Sequence, residues 1–430
     1  MASSAFRIHG AGHGLLDFIH SDIDFASSKA LQYHAQVPGD GGLEMGKVLN
    51  LEAFLRYAGK PWENVLADLT AMVPADVNAA VSAKAMETGR SGIPEFNAGG
   101  PGLVSMAVAS QLLKPAKVPV TYYGLSGDDS AGSRLRHLLA QTPLDMTCFR
   151  QRPGRTATTM VCNDPRAQQG HGDRFFLNDP GTVACDASIL GESFFQATFN
   201  VYAGTAMVPA LHAELPALLA KGRHRGALNV VATVFDSVSE KSAPGRPWSL
   251  GAGEAYPDID LLVANAEEIR RLAGLSGVEE CVSALFARGL TAAVVTRGPG
   301  EVYYRSRGGI FGRTEGYAPA NPALVAMAGD RSRNSGDTSG AGDNFLAGLL
   351  SDLMLQILSD DFFPKGEIHI ERELLQICPL RLRHAIEFGI VAGGLACLQK
   401  GGLKIEKSKG ERLNLVRTYF PDSVPAGRPW

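Results

Sequence analysis

Apolar residues repeat at helical spacing behind position 343. Phe345, Leu346, Leu349, Leu350, Leu353, Met354, Ile357 and Leu358 form one continuous stripe. The residues just before it must then be a helix N-terminus, with Gly340, Ala341 and Gly342 at the turn and Asp343 in the first helical turn. A second rhythm runs from about residue 195 to 300. Apolar runs at 198–203, 228–235, 259–264 and 292–295 predict buried strands, and 209–221, 266–273 and 279–288 predict the helices between them. Strands alternating with helices make a mostly parallel sheet covered on both faces. Upstream, 118–123 predicts another strand and 134–139 the helix after it. Segments 155–163 and 173–178 alternate with period two around a polar loop at 164–172, the pattern of a hairpin standing off the core. Residues 27–92 are partly helical, with apolar positions at Leu51, Phe54, Leu55, Val65, Leu66 and Leu69.

Composition narrows the class. A chain of 430 residues, 45% hydrophobic and 20% charged, buries a sizeable core. The reading is one domain over 1–430, with lid or insertion elements at about 27–92 and 150–182. Net charge is -3, from 41 basic and 44 acidic side chains, and no basic stripe or zinc-finger spacing points to nucleic acid. No apolar run of about eighteen residues indicates a membrane span, and the first residues lack the apolar core of a secretory leader. Cys148, Cys162, Cys185, Cys281, Cys378 and Cys397 are scattered without a C-x-x-C pair, which reads as reduced thiols in a cytoplasmic setting.

The chemistry concentrates at residues 337–343. Free N–H groups of Gly340, Ala341 and Gly342 at a helix N-terminus can hold phosphate oxygens, because such small residues let an anion approach the main chain. A carboxylate at 343 is poorly placed to bind an anion, so Asp343 is the candidate proton acceptor. An exposed Asp titrates at about 3.9, so the expectation is a base already ionised at neutral pH. A structural reading competes, since Asp in a first helical turn is favoured by the dipole alone. In 41–48 the chain nearly spells a Walker A loop, but the final Ser or Thr and the preceding strand are missing, and a substrate loop is the better reading.

The heptad Asp337-Thr338-Ser339-Gly340-Ala341-Gly342-Asp343 resembles the signature of the ribokinase-like (PfkB) family of carbohydrate and nucleoside kinases without a mismatch. Other segments resemble further family elements in the same order: Asn97 to Gly102 the Gly-Gly loop beside the acceptor, Gly124 to Gly132 an architectural Gly-Asp-Asp segment, Asn265-Ala266-Glu267-Glu268 the Asn-x-x-Glu motif, and Thr296 to Gly300 the nucleotide turn. The turn's second glycine comes one residue early, and Val104 stands where an Asn often contacts sugar. Residues 385–402 resemble the C-terminal helix and Gly-rich turn near the purine.

The resemblance implies an α/β fold, a three-layer α/β/α core with a mostly parallel sheet and a small β-rich lid. It implies an ATP-dependent kinase acting on a hydroxyl of a small sugar-like molecule, or alternatively a nucleoside, with a catalytically silent sugar-binding protein as a lesser reading. Asp343 would be general base, with Gly340, Ala341 and Gly342 holding the migrating phosphoryl group. Asn265, Glu268, Thr296, Gly298, Gly300 and Thr338 would serve ATP, with Glu268 reaching Mg2+ through water and a K+-like ion near the main chain of Asp337 and Ser339. Asp17, after the first strand, with Gly99, Gly100 and Asp343, would hold the acceptor. A homodimer through the lid is the partner expectation.

Overall fold

A computed structural model describes residues 6–20, 23, 25–37, 40–44, 48–70, 95–164, 173–183, 185–330, 338–359 and 372–420. In chain order the strands are β1 (Ile8–Gly12), β2 (Leu15–His20), β3 (Val48–Asn50), β4 (Glu95–Gly99), β5 (Val120–Gly127), β6 (Phe149–Arg152) and β7 (Thr158–Asp164). They continue with β8 (Asp173–Asp179), β9 (Phe199–Ala203), β10 (Leu228–Ala232), β11 (Leu261–Asn265), β12 (Ala292–Thr296), β13 (Val302–Ser306) and β14 (Thr314–Ala318). Two sheets result. The large one has the order β14-β13-β12-β11-β10-β9-β1-β5-β6, and the small one β3-β8-β7-β2-β4. From β6 to β12 the large sheet is parallel, and β13 and β14 extend it antiparallel.

Alternation along the parallel strands explains the layering. Ile8, Val201, Val230, Leu261 and Val294 enter one apolar cluster, together with the helices Pro101–Leu113, Ala341–Ser359 and Leu382–Ala396. Their neighbours Tyr202, Val231, Leu262, Ala293 and Val295 enter a second cluster on the opposite face, with the helices Leu215–His224, Ala266–Ala273 and Val278–Ala287. A strand buried on both faces reads as a continuous apolar run. Among the described residues no helix is long and apolar enough to cross a membrane.

Three sequence expectations need revision. The run 209–221 is two helices, Pro209–Ala213 and Leu215–His224, because Pro216 lacks the N–H that would continue the first helix and instead sits in the opening turn of the second. Residues 8–19 are two strands in different sheets. Gly12, at φ 134, and the following His13 and Gly14 carry the chain from one sheet to the other, so Asp17 lies inside β2 of the small sheet, not just past the first core strand. The strand begun near 118 runs on to Gly127, and its following helix starts at Ser130 with Asp129 as cap.

The predicted hairpin forms, with β7 and β8 paired antiparallel from Thr158↔Asp179 to Asp164↔Asp173. Its base is tied to the core by the Gly-Asp-Asp segment. Gly154 N–H donates to Asp128 Oδ1 at 3.0 Å, and Thr156 Oγ1 donates to Asp129 Oδ1 at 2.6 Å. The insertion gives the small sheet its own core: Tyr33, Phe54, Val65 and Leu69 pack with Cys162, Phe175 and Leu177. One face of that sheet is therefore already covered from within the chain. Residues 71–92 of the insertion, 165–172 of the hairpin loop and 45–47 of the near-Walker segment lie outside the described residues.

Candidate active site

The parallel strands deliver their carboxyl ends to one cleft of about 710 Å³, where such sheets gather ligand-binding groups. Asn265 and Glu268 come from the end of β11, Thr296 and Gly298 from the end of β12, and Thr338, Ala341, Gly342 and Asp343 from the start of the Ala341–Ser359 helix. Gly340 stands behind this wall at φ 70, where a Cβ would lie 2.4 Å from Gly402 Cα, so only glycine fits the turn. Gly342 has open space around it on the cleft side. The helix N-terminus thus presents main chain to the cleft, the arrangement that favours an anion.

Asn265 and Glu268 form a capping box. Asn265 Oδ1 accepts from Glu267 N–H and Glu268 N–H, both at 2.9 Å, and Glu268 Oε2 accepts from Asn265 N–H at 3.0 Å. Thr233 Oγ1 donates to the same Oε2 at 2.6 Å. Burial pushes the Glu268 carboxyl above the usual range, against the pull of these bonds.

Asp343 departs from its expected behaviour. Loss of water, with the charge of Glu268 as second cause, raises its carboxyl to about 7, not the ordinary exposed value assumed from sequence. Its residue surface is nonetheless only half-buried and opens on the cleft. Two mutually repelling carboxylates in one cleft suit a hard divalent cation, which takes oxygen ligands and keeps several waters.

The residues expected on the acceptor side, Asp17, Gly99 and Gly100, are brought together elsewhere in the same region. Asp17 pairs in register with Asn97, and its carboxylate lies over the backbone of Gly99, where a Cβ would stand 2.4 Å from Asp17 Oδ2. Gly100, at φ 86, approaches His13 O so closely that a Cβ would be 2.7 Å away. Pro101 then opens its helix and lines the 710 Å³ cleft. Gly12, His13 and Gly14, against which Gly100 rests, line a second cavity of about 360 Å³ with Tyr122, Leu125, Met207 and Val208. Burial lowers His13 to about 4, so the ring is neutral. Val104 is buried against Gly402 and presents only apolar atoms.

Some expected residues fall differently. Gly300 closes the 296–300 turn by donating to Arg297 O at 3.1 Å and does not line the cleft. Asp337 lies outside the described residues; its neighbour Ser339 is within them. Sequence reading missed Arg174 of β8, which lines the cleft from the small sheet with its guanidinium 5.4 Å over the Phe176 ring, and Arg297, which lines the same wall. A lone Arg in an alternating strand carries no periodic signal that separates it from a solvated face. Arg297 sat inside a motif already singled out.

The profile of the pfkB family carbohydrate kinases matches residues 64–407. No curated protein matches the sequence. Among solved structures, the adenosine kinase of Anopheles gambiae in complex with P1,P4-di(adenosine-5) tetraphosphate superposes with a TM-score of 0.59 at 15% identity, covering 94% of this chain and 97% of that one. A protein named ribokinase II from E. coli, in complex with ATP and Mg2+, gives 0.58 at 13% identity over 97% and 99%. A ribokinase from Thermotoga maritima gives 0.55 at 13% over 97% and 99%. At these identities the likeness establishes the ribokinase-like fold.

Proposed function

This chain belongs to the pfkB family of carbohydrate kinases, phosphotransferases that act on hydroxyl groups, and on that premise we propose that it moves the γ-phosphate of ATP to a hydroxyl of a small sugar-like acceptor. The observation that carries the reading is the shared cleft of Asp343 and the helix N-terminus, with a carboxyl raised to about 7 beside main-chain donors. Asp343 accepts the hydroxyl proton as that oxygen bonds to the γ-phosphorus. The bond from phosphorus to the β–γ bridging oxygen breaks, and ADP leaves with the electron pair. Such transfer depends mainly on alignment and charge neutralisation, which the N–H of Gly342 and the helix N-terminus it belongs to would supply together with the positive charge of Arg174. Ala341 N–H donates to Thr338 O at 3.3 Å in the ligand-free chain.

Asn265 and Glu268 would hold Mg2+ through water, and the ion would neutralise developing charge on the phosphate oxygens. Thr296, Gly298 and Thr338 would border the nucleotide. Asp17, Gly99 and Gly100 would grip the acceptor. A K+ requirement at Asp337 and Ser339 is part of the proposal, read out by comparing rates in potassium and tetramethylammonium salts. A cytoplasmic setting fits the use of ATP.

A second reading, a nucleoside acceptor, is favoured by the 360 Å³ cavity, whose lining by Tyr122, Leu125, Met207 and Val208 suits a flat apolar group attached to a sugar. One experiment tests both. ADP release is followed with ATP, Mg2+ and a panel of sugars, nucleosides and other small polyols. Turnover with a sugar or a nucleoside chooses between the readings, and absence of turnover with every hydroxyl compound defeats both.

A further inference from the structure

Asn344 follows the proposed base directly and is wholly buried. Both ends of its amide are engaged. Nδ2 donates to Gly340 O and to Gly402 O, each at 2.8 Å. Oδ1 accepts from Arg412 Nη2. The same guanidinium donates through Nη1 to Lys404 O at 3.0 Å. Arg412 sits in the first turn of the Glu411–Tyr419 helix, 69 positions beyond Asp343 in sequence and one side chain away from its helix turn.

The turn that Arg412 and Asn344 share reaches the acceptor side as well. Asn97 Nδ2 donates to Leu403 O at 3.1 Å, and Leu403 N–H donates to Asn97 Oδ1 at 3.1 Å. Gln111, on the helix that Pro101 opens, donates to Lys404 O at 3.1 Å and accepts from Glu406 N–H at 2.7 Å. Residues 402–406 are therefore bonded to the acceptor loop on one flank and to the anion turn on the other. The amides of Asn344, Asn97 and Gln111 are each bonded at both ends in this network, so removing one partner leaves buried groups unpaired.

We infer that Arg412 is a positioning residue for the transfer, acting through Asn344 to hold the Gly340 turn and the acceptor loop in one fixed alignment. The inference rests on the proposed kinase function for its turnover arm and stands apart from it in its binding arm. The guanidinium does not touch the reacting atoms. It orients the Asn344 amide so that its Nδ2 faces Gly340 O, which fixes the direction of the N–H groups that follow. A neutral residue at 412 would leave Oδ1 of Asn344 without its donor, free the amide to flip, and loosen the turn.

The test compares Arg412→Met, Arg412→Lys and Asn344→Asp with the unaltered chain. ATP affinity is measured by titration without acceptor, and kcat and KM for both substrates with the best acceptor. Arg412→Met is expected to weaken ATP binding and lower kcat, each by at least ~10-fold, the scale of one charge-assisted hydrogen bond, with Arg412→Lys recovering part of the loss. Asn344→Asp, which keeps an acceptor for Arg412 but removes the Nδ2 donor, is expected to match Arg412→Met, and the double variant to be no worse than either single one. Guanidinium added to Arg412→Ala should restore activity. Unchanged ATP affinity and kcat in Arg412→Met, or a fall in melting temperature alone, overturns the inference. Should Arg412→Met not fold, Asn344→Asp and the guanidinium rescue decide it. If no acceptor is turned over by the unaltered chain, the kinase reading fails while ATP titration still judges Arg412.

Discussion

The two walls of the cleft are made of different material. The proposed donor wall sets carboxyl side chains, Asp343 and Glu268, among main chain: the Gly340–Gly342 turn, the caps at the ends of β11 and β12, and helix N-termini on a large apolar core. The proposed acceptor wall depends on side chains such as Asp17 from a small sheet, one face of which packs on a second core built with residues 23–69 while Leu16 and Ala98 join the large core. Main-chain sites tolerate little change at their glycines. Side-chain sites are free to diverge while the sheet beneath them persists.

Asp343→Asn removes the base from the donor wall and should cut kcat by at least ~100-fold, the lower scale for a positioned general base, with the circular dichroism spectrum unchanged. Near-normal turnover in that variant breaks the proposed division of labour. Phe54→Ala, in the insertion, should cost about 3–5 kcal/mol. The loss should appear as faster hydrogen exchange in the small sheet, with ATP affinity unaltered; weakened ATP binding would mean that the walls are not separable.

Gly99→Ala sharpens the contrast from the acceptor side. A Cβ 2.4 Å from Asp17 Oδ2 must displace that carboxylate, so acceptor KM should rise about tenfold or more while ATP KM stays within about twofold. The pH profile probes the donor wall more gently. With Asp343 near 7 in the ligand-free chain, kcat/KM should fall about tenfold per pH unit below that value and level off above it, because only the ionised carboxyl accepts a proton. An Asp titrating at its ordinary value would leave the rate flat down to about pH 5. Smallest is Gly298→Ala: φ is 59 with nothing within 4 Å of the added carbon, so only backbone strain of about 1 kcal/mol is expected, seen as a slight drop in melting temperature.

The helix behind Asp343, the parallel rhythm of β9 to β12 and the hairpin of β7 and β8 were legible because each rests on local periodicity and turn chemistry. Ala266–Ala273 carries its own start signal in Asn265 and Glu268 and its own stop in Gly274, at φ 70. The transfer of the chain between sheets at Gly12–Gly14 was not legible, since 8–19 shows one apolar stretch and the change of partner depends on β9 and β4. Likewise β13 and β14 join the sheet antiparallel through pairing that no spacing records.

By itself the order of residues determined which segments fold into strands and helices and where small residues open the main chain to an anion, because those choices depend on neighbours a few positions away. Only the tertiary structure decided that Asp343 is lifted to about 7 by burial and Glu268. It alone brought Arg174 to the donor cleft and Arg412 to Asn344. Desolvation, field and hydrogen-bond partners are properties of what lies nearby in space, and these groups come from parts of the chain far apart in sequence.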